Sequence, residues 1–230
     1  MYSLLEFRPS RINPNNWLLN ELILKDFQIE EDEEVFIEKT NGENFVLNHG
    51  YNNNHQEDYS IFGNLIFVKM VHLSYHINDV LNDVFNLKSL KFDDFDTILI
   101  KSSRLLINLD EWFENLPLQL KNSTILNNQI TSAPLILLFY TVKFLIYRRL
   151  INHFIETSTS NEQHYEKFKP IFKKLFLEIS KFNENFINNL SIQHFTNCFW
   201  YSNTTKSFIT VAIVNLLLIK TTRDEIYLDD

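Results

Sequence analysis

Apolar residues recur every three or four positions along most of the chain after residue 58, a spacing typical of amphipathic helices. The first such run predicts a helix from about residue 58 to residue 85, capped at its start by Asp58 or Ser60. The side chains predicted to share its buried face are Ile61, Leu65, Val68, His72 and Tyr75.

A second helix is predicted to begin at Asp93 or Asp94 and to end near Leu116, because Pro117 cannot continue a helix. Its buried stripe is predicted at Phe95, Ile98, Ser102, Leu105, Leu106, Leu109, Trp112, Phe113 and Leu116.

A third helix is predicted after Ser132, with Pro134 in its first turn. The stretch from Pro134 to Tyr147 is apolar on nearly all sides and is interrupted by Lys143. A membrane span needs about 20 mostly apolar residues, and this stretch is too short. We therefore expect a central helix that is surrounded by other helices.

Two more helices follow a polar break at residues 157–160. In the first of these helices, Pro170 predicts either a kink or the true start of the helix. In the second helix, we expect residues 208–220 to be buried. The buried row of the first helix is predicted at Phe168, Phe172, Leu175, Ile179, Phe182 and Phe186.

Together these segments predict an all-α fold, an irregular multi-helix bundle of about five to seven helices. Residues 58–230 are expected to form the helical domain, and residues 1–57 a loop-rich N-terminal segment of the same domain with one short helix at 17–24. We find no run with the period of a β-strand, and only 3 glycines and 5 prolines among 230 residues, fewer than a turn-rich β-fold needs.

The overall charge argues against nucleic-acid binding by this chain alone. The formal net charge is −8 and no basic stripe is apparent. Most of the acidic excess at the N-terminal end lies in the run Glu30–Glu34. This run could be an activation patch or a set of catalytic carboxylates, but we favour a solvated loop because no apolar face organises it.

Few residues suggest catalytic or metal chemistry. His72 and His76 are four positions apart on a helix, a spacing that can bind zinc, but Leu73 stands where the metalloprotease motif needs Glu. The lone Cys198 excludes an intrachain disulfide and fits a buried thiol better than a nucleophile. We therefore predict no catalytic residue, no metal ligand and no enzyme activity, and we nominate no ligand-binding residue.

One stretch carries a resemblance to a known family. Residues 109–120 read Leu-Asp-Glu-Trp-Phe-Glu-Asn-Leu-Pro-Leu-Gln-Leu, and after a polar gap an apolar helix runs from Pro134 through Tyr140 to Arg148. This order resembles the fungal-specific transcription factor domain, or middle homology region, of zinc-cluster (Zn2Cys6) transcription factors. The positions that match its motif are Leu109, Trp112, Leu116, Pro117, Tyr140 and Arg148.

Residues 199–202 and 7–12 are similar to two further family segments. The chain departs from the pattern at Phe7, where the family has Gly, and at Arg149, where it has Pro. With 1 cysteine, it also lacks the zinc-cluster module.

The resemblance implies a regulatory or effector domain of a nuclear transcription regulator that relays a ligand or partner signal. Its partners would be transcriptional coregulators or a small-molecule effector, with DNA contacted only through the missing module and no membrane. The resemblance also allows a homodimer in the full-length protein. No cofactor is expected in this chain, and zinc would belong only to the absent module. The alternative is a helical protein–protein interaction domain unrelated to transcription.

The two arginines that end the central helix are predicted to differ. We expect Arg148, the family-motif residue, to be partly buried and paired within the fold. Arg149 is expected to point into solvent.

Overall fold

The computed structural model describes residues 55–121, 131–157, 162–196, 200 and 204–226. Of these residues 89% are α-helical and none is in a strand, which confirms the predicted all-α bundle. The helices are α1 His55–Asp83, α2 Leu87–Phe92, α3 Phe95–Glu114, α4 Leu118–Lys121, α5 Ala133–Thr157, α6 Glu162–Asn185, α7 Ile192–Thr196 and α8 Thr204–Ile226, with a 3-10 turn at Ile187–Asn189.

Helix α5 is the centre of the bundle, as its all-round apolar sequence predicts. It packs against α1, α3, α4, α6 and α8, and every side chain from residue 141 to residue 147 is buried. A helix enclosed in this way has no polar face to offer water. Among the described helices, none combines the length and the apolar character that crossing a membrane would require.

Helix α3 follows its sequence prediction closely. Asp94 is its N-cap, and the Asp94 carboxylate accepts a hydrogen bond from the Thr97 N–H at 2.9 Å. The helix ends at Glu114, two residues before the predicted end near Leu116. The predicted stripe from Phe95 to Leu109 is buried.

Helix α6 also presents the predicted apolar row to the core. All six predicted residues are buried, and the last of them, Phe186, lies just beyond the end of the helix at Asn185. Pro170 lies inside this helix with its ring exposed, so it does not mark the start of the helix.

The buried face of α1 differs from the prediction. The helix begins at His55, before both predicted caps and before the expected boundary at residue 58, and Tyr75 is 49% exposed. Val68 is buried and Leu65 packs against the core, as predicted, but further along the helix the core contacts come from Leu73, Ile77, Val80 and Leu81. Both stripes have helical spacing, and periodicity alone cannot show which one the neighbouring helices α3 and α5 cover.

Helix α8 is buried on one side only, which corrects the prediction of a buried helix over residues 208–220. Its core side carries Ser207, Thr210, Val211, Val214 and Leu218. The opposite side is also apolar, with Ile209, Ala212, Leu216 and Ile219 exposed. The predicted helix at 17–24, the acidic run and Cys198 lie outside the described residues.

Candidate functional site

Four residues of the family motif, Leu109, Trp112, Leu116 and Pro117, lie in the last turns of α3 and at the corner that joins it to α4. After α3 ends, the Asn115 N–H donates to the Glu111 carbonyl and the Leu116 N–H donates to the Phe113 carbonyl, both at 3.1 Å. Pro117 then redirects the chain into α4. Leu109, Leu116 and Leu120 are buried beneath this turn. The motif therefore fixes a helix corner through packing.

Trp112 lies at the edge of the core rather than within it, which corrects the sequence prediction. Its side chain is partly buried. The indole stacks near Phe139 with ring centroids 6.1 Å apart and meets His76 edge-on at 6.0 Å. The neighbouring Phe113 makes the closer contact to Phe139, at 4.2 Å. Trp112 thus links α1 to α3 and α5 at the protein surface.

Tyr140 is the motif residue that reaches a third helix. Its ring is partly buried on α5 and lies 4.5 Å from the ring of Phe182 on α6. Phe144 contacts the same phenylalanine in an edge-on arrangement at 5.4 Å. These rings join α6 to the corner formed by α3 and α5.

A charged cluster, called here the Lys143 network, lies beside these rings. It consists of Lys143 and Tyr147 on α5, Asp110 on α3 and Glu178 on α6. The Lys143 ammonium donates to Asp110 Oδ1 at 2.7 Å and lies 2.9 Å from Glu178 Oε2. The Tyr147 hydroxyl donates to Glu178 Oε1 at 3.0 Å. Lys143 is only 5% exposed, so three helices share one enclosed positive charge.

The electrostatics of this network keep Lys143 charged. Burial lowers the pKa of the Lys143 ammonium, but Glu178 and Asp110 outweigh burial and the pKa is raised. Burial raises the pKa of the Tyr147 hydroxyl, and the nearby Glu178 carboxylate raises it further. At neutral pH the lysine is protonated and cannot act as a free amine nucleophile or base. The network can hold three helices together, but its lysine is not prepared for covalent chemistry.

We did not predict this network from the sequence, although one signal for it is present. Lys143 is the only charged residue between Pro134 and Tyr147, and a lysine inside a buried helix must be paired. Its partners lie 33 and 35 positions away in the chain, so local patterns do not identify them.

The two raised pKa values predict a loss of stability in alkali. A group whose pKa is higher in the folded state stabilises the fold below its unfolded pKa, about 10 for Tyr and 10.4 for Lys. That contribution is lost as the pH rises through the folded pKa. We expect the free energy of unfolding to fall above about pH 10. The fall is about 1.4 kcal/mol for each unit by which the folded-state pKa exceeds the unfolded-state pKa. Urea unfolding at a series of pH values from 8 to 11 measures this fall.

Tyr147→Phe should flatten this alkaline decline, because the variant cannot ionise at that position. Tyr75→Phe, at an exposed tyrosine of α1, is the matched control and should keep the decline of the unaltered protein. Parallel curves for Tyr147→Phe and the unaltered protein would contradict the role given to Tyr147.

The prediction for Arg149 is wrong, whereas Arg148 is partly buried as predicted. Both arginines lie within α5, which continues to Thr157, and not at its end. Arg149 is buried, and its guanidinium donates to the Ser89 carbonyl at 3.4 Å. Arg148 is the more exposed of the two. In a helix, neighbours in sequence point about 100° apart, and here the second arginine is the one that reaches Ser89 on α2. The departure from the family pattern at Arg149 thus lies inside the fold.

We expect Arg149→Met to stabilise the protein by about 1 kcal/mol. Burial lowers the pKa of Arg149, and this effect outweighs the attraction of Glu156 and Asp93. Glu156 and Asp93 therefore do not fully offset the cost of taking the guanidinium out of water. The Ser89 carbonyl would still accept from the Asp93 N–H at 3.3 Å. Denaturant midpoints measure the change, with Arg148→Met as the control. A destabilisation of more than about 1 kcal/mol would show that Arg149 is a net stabilising partner.

The histidine pair does not form a metal site with other residues. Within the described part of the chain, no group of three or more His, Cys, Asp or Glu residues is placed to hold a metal ion. His76 instead packs on Trp112. Burial lowers the pKa of His76, and Asp79 opposes this effect in part. His76 is a packing residue at the edge of the core.

Comparison with known proteins adds no relative. Scans of family models, curated proteins and solved structures found no match to this chain. The resemblance to the middle homology region therefore rests on the motif residues and stays a prediction.

Proposed function

We propose that this chain is a regulatory or effector domain of a fungal transcription regulator, acting in the nucleus and relaying a ligand or partner signal. The observation that carries the proposal is the helix corner at Leu116–Pro117, whose motif residues pack on the helix that bears Tyr140. Transcriptional coregulators or a small-molecule effector are the proposed partners. DNA would be reached through a separate zinc-cluster module.

Relaying a signal requires two helix packings that a partner distinguishes. The Lys143 network joins α3, α5 and α6, so a shift of α6 past α5 would separate Glu178 from its buried cation. Breaking a buried pair is costly, which favours two discrete states over a gradual movement. A partner that binds one packing better would then shift the population towards it.

A reporter assay tests the proposal. The chain is fused to an unrelated DNA-binding module, expressed in a fungal cell, and compared with the module alone. We expect transcription from the module's site to change several-fold, as activation or repression, and the fusion to accumulate in the nucleus. The unfused chain serves as the control, and it should not shift DNA in a gel at physiological salt because its net charge is −8.

A folded, nuclear fusion that leaves transcription unchanged would contradict the proposal. A specific gel shift by the unfused chain at nanomolar concentration would contradict it differently, by assigning DNA binding to this domain.

The second candidate is a helical protein–protein interaction domain with no part in transcription. The exposed apolar side of α8, with Ile209 and Leu216 at 52% and 66% exposure, favours it. Contiguous exposed apolar surface often marks an interaction site. An inactive reporter together with exclusion of the chain from the nucleus would favour this candidate.

A further inference from the structure

The solvent side of α6 carries a charge opposite to that of the chain as a whole. Between residues 168 and 185, where its side chains are described, four lysines and one glutamate are exposed. The whole chain has 29 acidic and 21 basic residues. We call this surface the α6 lysine face, formed by Lys169, Lys173, Lys174, Phe176, Leu177 and Lys181.

Two large apolar side chains are exposed on the α6 lysine face. Phe176 is 57% exposed and Leu177 is 51% exposed. Residues three and four positions apart are neighbours on a helix surface, so Lys173, Lys174 and Lys181 surround Leu177. The opposite side of the same helix is the buried phenylalanine row. Apolar anchors ringed by cations would suit a binding partner that combines apolar side chains with carboxylates.

The sequence contains one segment with this composition. Residues 26–38 read Asp-Phe-Gln-Ile-Glu-Glu-Asp-Glu-Glu-Val-Phe-Ile-Glu, with seven acidic residues, five large apolar ones and no basic one. We call it the acidic segment, and it lies outside the described residues. Its charge is complementary to the lysines, and apolar residues on both sides of the acidic run could contact Phe176 and Leu177.

We propose that the α6 lysine face is a docking surface and that its occupant is the acidic segment of the same chain. Electrostatic complementarity guides such an encounter and disfavours wrong partners, while the apolar contacts supply burial. An outside protein with a similar acidic and apolar segment would compete for the same face. The proposed contact is therefore an internal one that a partner can displace. This proposal does not depend on a role of the domain in transcription.

The length of the chain permits this contact. Residues 35–54 separate Glu34 from the start of α1 at His55, and twenty residues span up to about 70 Å. Helix α6, with 24 residues, is about 36 Å long. Covalent linkage also makes the encounter intramolecular, which raises the effective concentration of the acidic segment at the α6 lysine face.

Carbodiimide crosslinking of the full chain tests the proposal, because it joins carboxylates and amines in direct contact. We expect crosslinks from Glu30–Glu34 to Lys173, Lys174 or Lys181 in the monomer fraction, several-fold above those to Lys88 and Lys91 on α2, which are also exposed. The product should fall several-fold in about 0.5 M salt, where charge attraction reaches only about 4 Å.

Charge reversal provides the matched controls. Lys173→Glu with Lys181→Glu should also abolish the crosslinks to the remaining Lys174, because the face loses its positive charge. Adding Glu31→Lys with Glu33→Lys should restore crosslinks with the charges exchanged. Both variants should keep the helical circular-dichroism spectrum, because Lys173 and Lys181 are exposed.

Three results would overturn the proposal. The first is equal crosslinking to the α2 lysines. The second is crosslinking confined to a dimer fraction, which would identify a second copy of the chain as the occupant. The third is binding of the full chain to vesicles of anionic phospholipid through these lysines, with no crosslinks to residues 26–38, which would identify a lipid surface.

Discussion

Lys143→Met is expected to destabilise the protein by about 3 kcal/mol, the largest effect we expect from removing one charge. Because Met fills a similar volume, the loss of stability reports the removal of the positive charge and not a loss of packing. Glu178 would keep a largely buried carboxylate without its lysine, because that side chain is only 17% exposed. Asp110 is 43% exposed, so water can solvate its carboxylate once the lysine is gone. The expected destabilisation is therefore at the lower end of the range for breaking a buried ion pair. The free energy of unfolding in urea measures it.

Two controls separate this effect from general damage. Lys88→Met removes an exposed lysine of α2, and we expect a change below about 0.5 kcal/mol. Lys143→Met combined with Glu178→Gln should recover most of the loss, because neither buried charge then remains and the amide oxygen can still accept from the Tyr147 hydroxyl. If the single and double variants were equally unstable, packing and not charge would explain the result.

Phe182→Ala is expected to cost about 3–5 kcal/mol, through lost burial and the cavity left behind. Its ring is fully buried and lies 4.5 Å from Tyr140, 5.4 Å from Phe144 and 5.0 Å from Phe186. Denaturant unfolding followed by circular dichroism measures the loss.

Phe92→Ala is the matched control, since it makes the same substitution at a phenylalanine of α2 that is 71% exposed and lies outside the α6 lysine face. It should change stability by no more than about 0.5 kcal/mol. A comparable loss at both positions would mean that burial of the Phe182 ring does not explain its cost.

Sequence periodicity predicted α3 and α6 well because each has a single apolar stripe, and only that stripe can be buried. It was only partly right for α1 and α8, where two sides are apolar and only tertiary packing decides which is covered. The Lys143 network was missed for a related reason. Its four members lie on three helices, and nothing local in Asp110 or Glu178 shows that a buried lysine will meet them.

The burial of Arg149 shows a limit of arguing from family resemblance. The motif position identified Arg148, but the buried guanidinium belongs to the next residue, where the chain departs from the family pattern. A motif conveys spacing along the chain, whereas burial depends on which neighbouring helix covers each side of α5. Here the short helix α2 makes that difference.

The central helix also matters before the protein has folded. The stretch from Pro134 to Tyr147 holds a single charge, that of Lys143. On a nascent or heat-unfolded chain, such an apolar stretch is prone to self-association, and a charge inside it acts as a gatekeeper. The residue that needs two carboxylates in the native state therefore protects the unfolded chain from aggregation. Replacing the whole network with apolar residues could give a protein that melts later and yet precipitates sooner.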